Sequence, residues 1–243
     1  MKTDSENKLT RNTGFYERTS KLTRNFVDAR GFWLPNDYTK HGVINEYNAC
    51  RENAVLIDLS SLRKFEILGP DAEELMNYTL TRNVKKLSVG QIVYSAMCYE
   101  NGTMFDDGTL LKLSDHGFRW VCGDEYGGEW LKEQAKKKNY KVHIKNSTDQ
   151  INNLSLQGPK SRKILEKIIF TPPTQPTISE LEWFRFSICR LEELNGIPLI
   201  VSRTGYTGEL GFEIWCHPSN APTVWDKLME AGKDEGLIPA GFA

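Results

Sequence analysis

The stretch 202–215, SRTGYTGELGFEIW, constrains the chain more tightly than any other. Its glycines stand at 205, 208 and 211, a GxxGxxG spacing distinct from the GxGxxG of a dinucleotide-binding turn. An apolar run at 198–201 leads in, and Phe212, Ile214 and Trp215 lead out, so the segment reads as strand, glycine-rich turn, strand. Glycine is required where the backbone reaches positive φ or approaches another group closely. Three glycines at fixed spacing, set among Tyr206, Glu209 and Glu213, exceed what a plain hairpin needs. Glu213 lies inside the outgoing strand. Strand alternation turns it either to solvent or inward, where it needs donors, and a heterocycle with adjacent N–H and NH₂ groups is a bidentate partner for it. Tyr206 either packs against such a ring or fills the turn.

A chain of 243 residues makes one large or two small domains with a substantial core. Its charge is balanced, 31 basic against 32 acidic residues, and the short lysine runs at 85–86 and 136–138 read as solvated faces. That balance argues against nucleic acid as the main partner. Five cysteines, at 50, 98, 122, 189 and 216, form no CxxC and have no histidine at ligand spacing. They read as free thiols of a reducing compartment, with no metal site. The polar N-terminus is not a signal peptide and no apolar run reaches membrane-spanning length, so the expectation is a soluble, cytoplasmic protein without membrane association.

Along the chain, residues 1–25 are polar and expected to be mobile or loosely packed. A helix is expected from 42 to 53, a buried strand at 55–60 and a half-buried strand at 64–68. Asp71 is placed to cap a helix through Tyr78, with Glu74 at capping-box spacing. Strands follow at 93–97, 109–113 and 118–122, then a helix at 125–138 and a strand at 140–144. A strand at 151–156 precedes a second Gly-Pro turn, Gly158-Pro159, which opens a helix to Ile169. It matches Gly69-Pro70, each proline falling just inside a helix start. Strands at 184–191, 197–203 and 211–216 and a helix at 221–232 complete the pattern. Hairpins outnumber crossover helices, which predicts an α+β fold of two interlocked sheet-and-helix domains and not a parallel βαβ fold. The apolar close at 238–243 predicts a fragment of a longer protein.

Asp106-Asp107 follows a turn and precedes a strand, so it reads as turn chemistry or as a carboxylate at the mouth of a sheet, able to orient an amine or move its proton. The histidines at 41, 116, 143 and 217 are isolated from one another and read as structural or surface residues. The six tryptophans read as core.

Ile57-Asp58-Leu59-Ser60, Gly69-Pro70-Asp71-Ala72, Tyr99-Glu100-Asn101-Gly102 through Asp106-Asp107, Leu156-Gln157-Gly158-Pro159 and SRTGYTGELGFEI keep their order and spacing across nearly the whole chain. In this they resemble the aminomethyltransferase (glycine cleavage T-protein) family of folate-dependent one-carbon transferases. The last stretch is specific; the others are individually weak. The resemblance implies tetrahydrofolate held in a central hole between three domains: a discontinuous first domain of 1–61 and 148–243, a second of 62–147, and a third, β-barrel domain beyond this chain. It implies Glu213 as the pterin anchor, Tyr206, Leu62 and Val121 as lining residues, and Asp107 as the catalytic carboxylate beside the reacting folate nitrogen. The implied partners are folate and a small methylated or aminomethyl donor, a lipoyl carrier protein among them.

Three places depart from the family pattern, at five residues. Asp58-Leu59-Ser60-Ser61-Leu62 stands for Asp-Val-Ser-His-Met, Leu111 for a tyrosine and Gly123 for an asparagine. These changes fall on the substrate side, and the serine pair also resembles the sarcosine and dimethylglycine branch. The alternatives are therefore a folate-dependent demethylase of dimethylsulfoniopropionate, dimethylglycine, sarcosine or aryl methyl ethers, or a non-catalytic folate-binding protein. The absence of a preceding flavin domain argues against a complete flavin-dependent demethylating enzyme. Retention of Asp107 favours an enzyme over the non-catalytic reading.

Overall fold

A computed structural model describes residues 10–243, which form two compact units. Unit 1 comprises residues up to Ser61, Ile151–Trp183 and Ser187–Ala243; unit 2 comprises Leu62–Gln150 and Phe184–Phe186. The fold is α+β.

Unit 1 opens with β1 (Arg11–Asn12), α1 (Tyr16–Thr19), β2 (Phe26–Ala29) and β3 (Phe32–Pro35), the three strands making a small sheet of order β1-β3-β2. Residues 10–25 were expected to be loose, and residues 1–9 lie outside the described chain. Within 10–25 the expectation fails, because Phe15 is fully buried in the unit 1 core and Thr13 Oγ1 donates to Asp58 Oδ2 at 2.6 Å. Gly14 N donates to Asn152 Oδ1 at 2.8 Å and the Arg18 guanidinium pairs with the Asp226 carboxylate at 2.8 Å, so a polar segment is docked by a buried ring together with several polar contacts. After α2 (Val43–Glu52) and β4 (Ala54–Asp58) the chain enters unit 2.

Unit 2 is an antiparallel sheet of β5 (Arg63–Leu68), β6 (Ile92–Cys98), β7 (Met104–Ser114), β8 (Gly117–Cys122) and β9 (His143–Asn146), in the order β6-β7-β8-β5-β9. Helices α3 (Ala72–Thr79) and α4 (Tyr126–Lys138) supply Leu75, Met76 and Leu131 to a core shared with Phe65, Ile67, Leu110, Phe118 and Trp120. Thr148–Gln150 belongs to this unit, where Lys64 N donates to Thr148 Oγ1 at 3.1 Å.

Returning to unit 1, β10 (Asn152–Gln157), α5 (Ser161–Glu166), β11 (Ile169–Phe170), β12 (Phe186–Leu191), β13 (Pro198–Ser202), β14 (Gly211–Cys216), α6 (Ala221–Gly232) and β15 (Leu237–Pro239) complete a seven-stranded sheet, β11-β12-β13-β14-β10-β4-β15. β11–β12, β13–β14, β14–β10 and β10–β4 pair antiparallel, and β15 runs parallel to β4. One face packs Leu154, Leu156, Phe212, Ile214 and Val201 against Ile164, Val224, Trp225 and Leu228 of α5 and α6. Alternation therefore turns Asn153, Ser155, Ser202 and Glu213 to the other face.

Several local expectations are corrected. No capping box forms at α3: the Asp71 carboxylate accepts from Lys141 N at 2.6 Å instead, and Glu74 pairs with Lys85. Pro70 and Pro159 stand before their helices, in turns whose Gly69 and Gly158 have φ of 136° and 128°. α5 stops at Glu166 because Ile169 and Phe170 pair with Leu191 and Arg190 as a strand. Trp33 and Trp183 are exposed, not core.

Candidate functional site

The glycine spacing of 202–215 is explained by Gln157. A Cβ on Gly205 or Gly211 would fall within 2.2 or 2.0 Å of Gln157 Oε1, and Gly208 has φ of 79°. The buried Gln157 amide donates to Thr204 O at 3.2 Å and accepts from Thr207 Oγ1 at 2.9 Å, tying the loop to the end of β10. Two glycines thus make room for a side chain of the neighbouring strand, and the third supplies the left-handed turn. Glu209 is held by Arg51 at 2.8 Å. Glu213 is the acid of this segment that belongs to the sheet.

On that sheet Ser202, Glu213 and Ser155 stand in register across β13, β14 and β10. Asn153 Nδ2 donates to Glu213 Oε2 at 3.3 Å, and Trp215 Nε1 donates to Ser202 Oγ at 3.2 Å. Glu213 is half-buried, while Asn153, Ser155 and Ser202 have no exposed surface. Two atoms beside the carboxylate, Asn153 Oδ1 and Ser155 Oγ, are buried without a hydrogen-bond partner. The Tyr206 ring is exposed, with its phenol pushed above its ordinary pKa, first by loss of solvent and then by the Glu213 charge. Tyr206 and Glu213 therefore sense each other within unit 1.

In unit 2 the Asp106-Asp107 pair lies inside β7, not in a loop before it, because that strand already begins at Met104 and is irregular where it pairs with Cys98. Alternation divides the pair. Asp106 turns toward α4, where Oδ1 accepts from Asp107 N at 2.9 Å and Gly123 N at 3.3 Å, and Oδ2 accepts from Asp124 N at 3.0 Å. Burial, and then the Asp106 charge, push the adjacent Cys122 thiol well above its ordinary pKa. Asp107 turns to the opposite face, where Tyr94 Oη donates to its Oδ2. That bond is the leading reason the Tyr94 phenol is held above its ordinary pKa. No hydrogen bond engages Asp107 Oδ1 among the described residues. Val121 is buried on this same face of β8, and Leu62 is half-buried at the entry to β5. Sequence reading missed Tyr94, Asn153 and Ser155. Tyr94 is 13 residues from Asp107, and nothing local marks the asparagine or the serine on β10.

Among the described residues no cluster of histidine, cysteine or acidic side chains could hold a metal, and no helix is long and apolar enough to cross a membrane. All five cysteines are unpaired.

Two α+β units with a carboxylate-bearing glycine hairpin and a divided Asp-Asp strand define a class that comparison identifies. The chain belongs to the GCVT N-terminal domain family, whose model matches residues 15–243. It is 52% identical over 239 residues to a trimethylamine-oxide aldolase of Ruegeria pomeroyi, covering 98% of this chain and 30% of that protein. It is 37% identical over 219 residues to an aminomethyltransferase of Alkaliphilus metalliredigens, covering 89% of this chain and 56% of that one. The chain therefore spans only part of the length of these relatives. The glycine cleavage system aminomethyltransferase T from Bartonella henselae superposes with a TM-score of 0.80 at 25% identity, over 95% of this chain and 59% of that chain. A heterotetrameric sarcosine oxidase from Corynebacterium shares the fold, with a TM-score of 0.61 at 14% identity.

Proposed function

We propose that this chain is the folate-handling part of a one-carbon transferase, in which tetrahydrofolate accepts a carbon unit from an amine-type donor. The observation that carries this reading is the polar face around Glu213. An acceptor carboxylate, steadied by an amide donor and flanked by buried oxygens without partners, suits a ring edge rich in N–H groups, and the pterin of tetrahydrofolate has such an edge.

In this reading Glu213 holds the pterin edge with Tyr206 of the same unit lining it, and Leu62 and Val121 are the folate contacts proposed for unit 2. When bound, the folate supplies a nucleophilic ring nitrogen. Asp107 is the carboxylate that orients that nitrogen and takes or returns its proton at Oδ1, since Tyr94 occupies Oδ2. Asp106 holds the strand that presents Asp107, through the Asp107 amide. The alternative of a demethylase acting on a methylated amine gains support from the 52% identity with a trimethylamine-oxide aldolase. It keeps each of these roles and changes only the donor.

Titration of tetrahydrofolate into the chain and into Glu213→Ala tests the anchor; equal affinity in both would sink it. Asp107→Asn should leave folate binding nearly intact and lower turnover by about 10²- to 10⁴-fold, the range of lost acid–base catalysis. Mass analysis of the folate product formed from candidate donors separates the methylene from the methyl form, and identification of the released co-product separates an aminomethyl donor from a methylated one.

A further inference from the structure

Polar atoms buried without partners are rare in folded proteins, because each forfeits its bonds to water. In this chain they include Ser61 Oγ, Trp120 Nε1 and Arg162 Nε, each in a different part of the fold. Asn153 Oδ1 and Ser155 Oγ differ in lying two residues apart on β10 and on the same face of the sheet. Ser155 is the cross-strand partner of Glu213, and Asn153 is bonded to it. That bond also sets the Asn153 amide. Its NH₂ faces the carboxylate, so its oxygen points elsewhere as an unused acceptor. The sheet therefore holds two acceptors, Glu213 and Asn153 Oδ1, beside a hydroxyl able to donate or accept.

We propose that Asn153 and Ser155 are specificity-determining residues of the Glu213 site, which select a 2-amino-4-oxo pyrimidine ring over a 2,4-dioxo ring. This deepens the folate reading and rests on it. A 2-amino ring brings N–H donors to Glu213 and to Asn153 Oδ1. A 2-oxo ring would set a carbonyl oxygen against acceptors, leaving buried polar atoms unpaired, which is the strongest form of rejection a hydrogen-bonding site has. Ser155 Oγ takes the remaining polar position of the ring edge.

The test measures calorimetric affinity and thermal stability on the whole chain, with tetrahydrofolate, 6-methyltetrahydropterin and the 2,4-dioxo ring lumazine as probes. Ser155→Ala should weaken tetrahydrofolate binding about 5- to 30-fold while raising Tm by about 2–4 °C, since an unpaired buried hydroxyl is removed. Asn153→Ala should weaken binding of the pterin about tenfold or more and shrink its preference over lumazine by a similar factor. If Ser155→Ala and Asn153→Ala bind every probe as the unsubstituted chain does while Glu213→Ala is impaired, this inference fails and the folate reading stands. If Glu213→Ala binds as well as the unsubstituted chain, or the unsubstituted chain binds no pterin, both fail together. A fall in Tm for Ser155→Ala with unchanged affinity also overturns the inference, because the hydroxyl then serves the fold.

Discussion

Asp106 and Glu213 are both carboxylates on strands, yet their surroundings are opposite in kind. Asp106 is nearly buried and each of its oxygens accepts from backbone, three N–H groups in all. Glu213 is half-buried, accepts from a side-chain amide at 3.3 Å, and sits among oxygens that lack partners. A carboxylate enclosed by backbone donors is a fastening of the fold: it joins β7 to the turn after β8. On the folate reading proposed above, a carboxylate beside an unsatisfied acceptor and hydroxyl is arranged for a ligand. The state of the neighbouring polar atoms, more than burial, separates the two roles.

The comparison breaks most sharply at Asp106. Replacing it with alanine strands three backbone amides, and a loss of about 3 kcal/mol or more is expected from groups of this kind. For a chain of this size that is a fall in Tm of about 6–12 °C. A change within about 1 °C, well below that range, would mean that the amides find water and that Asp106 fastens nothing. Tyr94→Phe is expected to act on function more than on fold. It removes the donor to Asp107 Oδ2 from an exposed phenol, so Tm should hardly move while turnover falls about tenfold, the worth of one hydrogen bond to a charged group. A Tm loss with unchanged turnover would reverse that assignment.

Alkaline pH probes the buried thiols of unit 1 next. Burial pushes Cys189 and Cys216 up to about 12. Both values are raised above the unfolded thiol's, about 8.5, so the unfolded chain loses these protons first as pH rises. The contribution is complete below about pH 8.5 and is lost as pH climbs toward 12. Tm should therefore be level through neutral pH and decline above about pH 9, and Cys189→Ala should flatten part of that decline. An unchanged slope in that variant would remove the thiol from the explanation.

Much of this arrangement could be read from residues, and what could not has a physical reason. The hairpin at 202–215 announces itself by its glycines, but their cause, the Gln157 side chain, lies on a strand some fifty positions earlier. The Asp106-Asp107 pair is conspicuous, yet its division required knowing that β7 begins at Met104, and Met104, Phe105 and two aspartates do not look like the start of a strand. Phe15 shows the limit of composition: a polar segment is docked by a buried ring and by the partners its polar groups find far along the chain, Asp58, Asn152 and Asp226. Asn153 and Ser155 carry no local signal, because an unpaired buried oxygen is defined by what surrounds it in space.

The smallest effect is expected at Glu213, and it is the sharpest discriminator. If this carboxylate served the fold as Asp106 does, Glu213→Gln would cost several degrees. Glutamine keeps the length and one acceptor oxygen, and the side chain is only half-buried, so a Tm change within about 2 °C is expected, the range of substitutions away from buried networks. Its effect should appear with ligand instead. In unsubstituted protein tetrahydrofolate should raise Tm with the logarithm of its concentration above Kd, and in Glu213→Gln that rise should shrink at any given concentration, because a neutral amide presents only one acceptor to adjacent N–H donors. A large loss of Tm without ligand, with the ligand-induced rise intact, would place Glu213 beside Asp106 as a fastening and leave the polar face of β10 and β14 without its central residue.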